Sequence, residues 1–209
     1  MKEVLLKIFL YTHIATGSLA LLSGLVAVIN KKGGNIHRKA GKVFFVTMIL
    51  VATTAFVISV VKSNTFLLAI SIFSFYLNYS GYRILKNKQF KFTWYDWVVN
   101  ILSAVLGIYM VATWSLPLSV FGAVLLYLLF KNIQPQLGSK EELMQLQKEK
   151  VLHHINNMMG AYIATVTAFL VVNINFVKPG WVLWLLPTAI GIPIILYYNK
   201  IWKQKLKVQ

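Results

Sequence analysis

Four histidines, His13, His37, His153 and His154, and one aspartate at the edge of an apolar run, Asp96, are the groups in this chain best suited to ligate a metal or carry a proton. Neutral imidazole together with a carboxylate suits zinc or iron. His37, one of His153 and His154, and Asp96 could form such a site only through tertiary structure, because they are far apart in the chain. His153 and His154 are adjacent, so on a helix they point about 100° apart and one of them is expected to be structural or solvated. His37 stands in Asn35-Ile36-His37-Arg38-Lys39, and a His37-Arg38 pair at a helix start also suits a phosphate or a carboxylate. Asn78, Asn100 and Asn157 add amides that both donate and accept.

The absence of cysteine excludes disulfides, cysteine-ligated zinc, iron–sulfur clusters and thiol catalysis. The elements that must hold the remaining groups follow from composition. Of 209 residues, 58% are hydrophobic and 12% charged, with mean hydropathy +0.68. A soluble globular domain is excluded on that balance. Seven apolar stretches, 4–29, 43–61, 65–85, 97–113, 116–130, 152–176 and 181–198, are expected to cross a bilayer as helices. The chain therefore reads as one all-α transmembrane domain, 1–209, a seven-helix polytopic bundle with residues 131–150 as a cytoplasmic loop. The first stretch is about twice the length of a signal-peptide core and is expected to be a retained helix. Pro117 suits the first turn of the fifth helix after a tight hairpin at Trp114-Ser115.

The net charge of +16 is expected to report topology rather than nucleic-acid binding. If the first loop is cytoplasmic, seventeen of the 21 basic residues share one side: Lys31, Lys32, Arg38, Lys39 and Lys42; Arg83, Lys86, Lys88 and Lys91; Lys131, Lys140, Lys148 and Lys150; Lys200, Lys203, Lys205 and Lys207. The other side keeps Lys2, Lys7, Lys62 and Lys178. This places the N-terminus outside and the C-terminus in the cytoplasm. Trp94, Trp97, Trp114, Trp181 and Trp202 fall near the expected membrane edges. Ser139 and Glu142 have capping-box spacing, with 141–150 as an amphipathic extension of the sixth helix.

Helical spacing collects the polar residues on single faces, which are expected to point into the bundle. These are His13, Thr16, Gly17, Ala20, Gly24 and Ala27; Ser71, Ser74, Asn78 and Gly81; Asp96, Asn100, Ser103 and Gly107; and His153, Asn157, Gly160, Ala164 and Thr167. His154, Met158, Ala161 and Thr165 form a stripe beside the last. Small and hydroxyl residues in such stripes serve close helix packing. From the rise per residue, Asn78, Asn157 and Asn100 lie roughly 10, 8 and 5 Å in from the cytoplasmic ends of their helices. A shared level suggests a polar collar open to the cytoplasm, with His37, Arg38, Arg83, Asp96 and a late histidine at its mouth. The same three asparagines could equally serve as glue between helices. His13 lies some 24 Å from that end and is expected to stand apart, bonded to a threonine or a carbonyl.

Several chemistries are excluded. Helix seven has no lysine inside its span for a retinal Schiff base, no carboxylate lies deep in any span for a proton relay, and HExxH is absent. A ceramidase-type zinc hydrolase would need histidines in helix seven, which has none. Pro187, Gly191 and Pro193 there suggest a kink, either tolerated or a hinge.

The segments His13-Ile14-Ala15-Thr16-Gly17, Lys32-Gly33-Gly34-Asn35-Ile36-His37-Arg38-Lys39-Ala40-Gly41-Lys42, Phe73 to Arg83 and His154-Ile155-Asn156-Asn157-Met158-Met159-Gly160 resemble a bacterial predicted-membrane-protein family of unknown function. The resemblance covers most of 10–175 and rests on a His early in helix one and a His-Arg-x-x-Gly at the start of helix two. It implies a multi-helix protein of a bacterial inner membrane, with no established activity. The expectation is a cytoplasm-facing pocket for a small polar ligand or lipid head group. A His-ligated metal or haem redox protein and a small permease are the alternatives. Expected partners are membrane lipids and a small-molecule ligand, possible self-association, and no nucleic acid.

Overall fold

A computed structural model describes residues 2–87, 91–113 and 115–207, apart from the side chains of Lys2, Leu116, Pro117, Trp181 and Lys207. Lys88 and Trp114, and the side chains of Lys2, Pro117, Trp181 and Lys207 used above, lie outside the described residues. The described residues form seven helices and no strand: α1 Lys2–Ile29, α2 Asn35–Val61, α3 Thr65–Lys86, α4 Trp94–Ala112, α5 Leu116–Leu137, α6 Lys140–Asn173 and α7 Trp181–Lys207.

Most helices outrun the apolar stretches that announce them, because hydropathy measures the length in hydrocarbon and not the length of the helix. The polar segment from Asn35 to Lys42 forms the first two turns of α2, entered through Gly33 at φ +76 and Gly34 in extended conformation. Only glycine adopts the first of these without strain. α5 continues through Pro135 to end at Gly138, well into the stretch expected as loop. The Ser139–Glu142 capping box starts α6, which runs 34 residues, or about 51 Å. α7 passes through Pro187 and Pro193 as one helix.

Among the described residues, six helices are long and apolar enough to cross a membrane. α3 does not reach that apolarity, and its place in the bundle explains why. It packs against α2, α4, α5 and α6. Ser71, Ser74, Tyr76, Asn78 and Gly81 are all buried along it. A helix surrounded by protein can carry polar groups that lipid would penalise. The outer surface is the reverse: Leu22, Leu102, Val105, Phe130 and Leu196 are exposed. Polar inside and apolar outside is the arrangement of a helical membrane protein.

α4 and α5 meet backbone to backbone. A Cβ on Gly122 would stand 2.8 Å from the Gly107 carbonyl oxygen, whereas one on Gly160 would meet only Leu77 at an ordinary 3.4 Å. Gly122→Val is therefore expected to cost about 1–3 kcal/mol. Thermal unfolding in detergent should show that loss, with Gly160→Ala close to the parent.

Candidate functional site

The polar residues divide between two places at the end of the bundle where α1 and α3 finish and α2 and α4 start. The first is an ion-pair cluster joining α3 to α4. Asp96 is 1% exposed. Its Oδ1 accepts from Arg83 Nε at 2.8 Å and from the Tyr79 hydroxyl. Its Oδ2 accepts from Arg83 Nη2 at 2.8 Å, from Thr93 N at 2.8 Å and from Thr93 Oγ1 at 2.6 Å. Asp96 is thus both the partner of a two-pronged arginine and the residue that reaches back to cap its own helix. Its acceptor capacity is taken up, so this is a structural clamp rather than a ligand site. Beside it, Asn132 Nδ2 donates to the Tyr76 hydroxyl at 2.7 Å, and that hydroxyl donates to Asn100 Oδ1 at 3.4 Å. The adjoining void, about 30 Å³, has room only for water.

The second place is a cavity of about 620 Å³ between α1, α2, α3, α6 and α7. That volume lies within the usual range for small-molecule sites, about 300–1,000 Å³. Phe44, Ile155, Met158, Met159 and Tyr162 make its interior. Lys32, Arg38, Lys39, Lys42 and Lys86 stand around it, and no Asp or Glu is among its lining residues. Lys32 donates to the Ala27 oxygen at 3.2 Å and to the Val28 oxygen, and its ammonium lies 4.6 Å from the centre of the Tyr198 ring. Burial holds the Lys32 pKa below its usual value. Lys86 lies 5.6 Å from the Tyr82 ring, which stacks on Phe45.

His37 and His154 both line this cavity. Their ring centres are 6.3 Å apart and their planes are at 81°. His37 Nδ1 is 2.9 Å from the Ala27 oxygen, and His154 Nδ1 is 2.8 Å from the Gly81 oxygen. A carbonyl can only accept, so Nδ1 carries a proton in both rings, and in the neutral imidazole Nε2 is then the nitrogen with the lone pair. Four residues beyond His37, Gly41 lines the same cavity, and no other group comes within 4 Å of where its Cβ would stand.

The structure brings His37, Arg38 and His154 to one cavity, and Arg83, Asp96 and Asn100 to the other cluster. Asn78 and Asn157 border neither. Asn78 Nδ2 donates to the Phe45 oxygen at 3.0 Å and so joins α3 to α2. Asn157 Nδ2 donates to the His153 oxygen at 3.0 Å within α6. The Oδ1 atoms of both are buried without a hydrogen-bond partner. The three asparagines do not share a pocket, because they bond to different neighbours. His153 is not among the cavity residues. His13, in the other half of the bundle, bonds through Nδ1 to Thr54 Oγ1 at 3.0 Å and to the Val51 oxygen at 3.2 Å. Among the described residues, no three His, Asp or Glu side chains gather as a metal-ligand set.

The sequence reading missed much of the lining of the larger cavity. Lys32, Lys39, Lys42, Lys86, Tyr162 and Tyr198 were not among its candidate site residues. The available signal was a concentration of lysine and tyrosine at the ends of four helices that hydropathy places at one membrane face.

The family model described as Predicted membrane protein (DUF2306) matches residues 10–124, more than half of the chain. No curated protein and no solved structure matches.

Proposed function

The chain belongs to the DUF2306 family of predicted membrane proteins, whose function is unknown, and we propose that it binds an anionic amphiphile in its large cavity. The ligand has an apolar body and a carboxylate or phosphate head. The observation that carries this reading is the lining: five cationic side chains and no Asp or Glu, arranged over an apolar and aromatic interior. Unneutralised cations at a membrane edge attract anionic head groups. The apolar interior takes the body of the ligand out of water. The cations of the cavity come from the segment after α1, the first turns of α2 and the last turn of α3. By the positive-inside rule its mouth faces the cytoplasm, in a bacterial cytoplasmic membrane.

Native mass spectrometry tests this on full-length protein released from vesicles of mixed phosphatidylglycerol and phosphatidylcholine. The expected result is selective retention of the anionic lipid, reduced at least tenfold in Lys39→Glu/Lys42→Glu. Inorganic phosphate alone should bind far more weakly, since it lacks the apolar body. Equal retention of both lipids, unchanged by the double substitution, would overturn the reading.

A further inference from the structure

Resting on that reading of the cavity, we propose that its ligand is a b-type haem, bound through the Nε2 atoms of His37 and His154. Three independent features lead to this chemistry. The first is the state of the two rings. Each donates Nδ1–H to a backbone carbonyl, which fixes the tautomer and orientation and presents the Nε2 lone pair. That second bond is what metal-ligating histidines ordinarily make.

The second feature is spacing. Two imidazoles on opposite sides of one metal are separated by two metal–nitrogen bonds of about 2 Å each, plus half of each ring. The 6.3 Å between ring centres matches that arrangement. Neighbouring positions on a tetrahedral ion would bring the rings closer together.

The third feature is charge. Lys32, Arg38, Lys39, Lys42 and Lys86 surround the cavity, and no lining carboxylate offsets them. A bare divalent cation is repelled by such a site. A metal carried in a macrocycle with two propionates is attracted by it. The macrocycle also supplies four ligands, so the chain need provide only two. Gly41, one helical turn from His37, lines the same cavity and leaves open space where a side chain would stand, so a bulky group beside His37 meets no obstruction there. The orientation that follows has the iron between the histidines and the propionates at the lysine-lined rim.

The experiment adds ferric haem b to the full-length protein in detergent and records optical and electron paramagnetic resonance spectra. One haem per chain with a low-spin, bis-imidazole signature is expected. His37→Ala and His154→Ala should each lower that signature at least tenfold, and added imidazole should restore it in part. His13→Ala and His153→Ala should leave it intact. Thermal unfolding of each variant identifies any that has lost its fold, and imidazole rescue is read only on folded protein. No stoichiometric uptake, or a spectrum unchanged in both His37→Ala and His154→Ala, overturns the proposal. If haem fails while anionic lipid is still retained selectively, the haem assignment falls and the amphiphile reading stands. If neither is retained, both fall.

Discussion

Arg83→Ala is expected to destabilise the protein by about 3–5 kcal/mol, more than Asp96→Ala does. The reason lies in the different surroundings of the two charges. Asp96 is 1% exposed and Arg83 20%. Removing the arginine leaves a carboxylate enclosed by α3 and α4, still accepting from Thr93 and Tyr79 but without its countercharge. Removing the aspartate leaves a guanidinium on a long stem near the end of α3, beside the Tyr95 ring at 5.1 Å, and free to turn toward the aqueous boundary. Asp96→Ala still loses the helix cap, so it is not silent. Replacing both by apolar residues of similar volume should recover much of the loss, as is typical of buried ion pairs. Thermal unfolding in one detergent gives the ordering. Equal losses for the two single variants would show that the exposures do not decide the cost.

Gly41→Phe is expected to do the opposite, abolishing ligand retention while the fold survives. No group outside its immediate helix lies within 4 Å of the position of a Cβ at Gly41, so the new ring has room to enter the cavity. Replacing glycine within a helix also removes an entropic penalty of up to about 1 kcal/mol. The ring then takes volume from the ligand next to His37. Retention of anionic amphiphile should fall at least tenfold, equivalent to about 1.4 kcal/mol, with an unfolding temperature at or above that of the parent. A variant that retains its ligand at parental levels would show that the binding surface lies elsewhere. Together with Arg83→Ala, this separates the clamp between α3 and α4 from the cavity proposed to take the ligand.

The sequence by itself determined the seven helices, polar faces on α1, α3, α4 and α6, and the start of α6. Hydropathy and helical period are local quantities that accumulate along one segment. Asp96, Asn100, Ser103 and Gly107 therefore declared a buried stripe on α4 before any neighbour was known, and all four are buried. Ser139 and Glu142 act within one turn, so their capping box was equally legible. What the period leaves open is which stripe meets which. Asn78, Asn100 and Asn157 have the same character and similar spacing from their expected helix ends, yet Asn100 bonds to Tyr76 while Asn78 bonds to Phe45 of α2. Their separation depends on the neighbours chosen by α3, which packs against α2, α4, α5 and α6 and meets α7 through Phe66 and Trp184. Likewise, the sequence could say that only one of His153 and His154 would face inward usefully, but not which. The rotation of α6 against α2 and α3 decided for His154, and the tight turn at Gly33 brought His37 opposite it. Helix rotation and neighbour choice are set by packing summed over the whole bundle, so the paired histidines exist only in the tertiary structure.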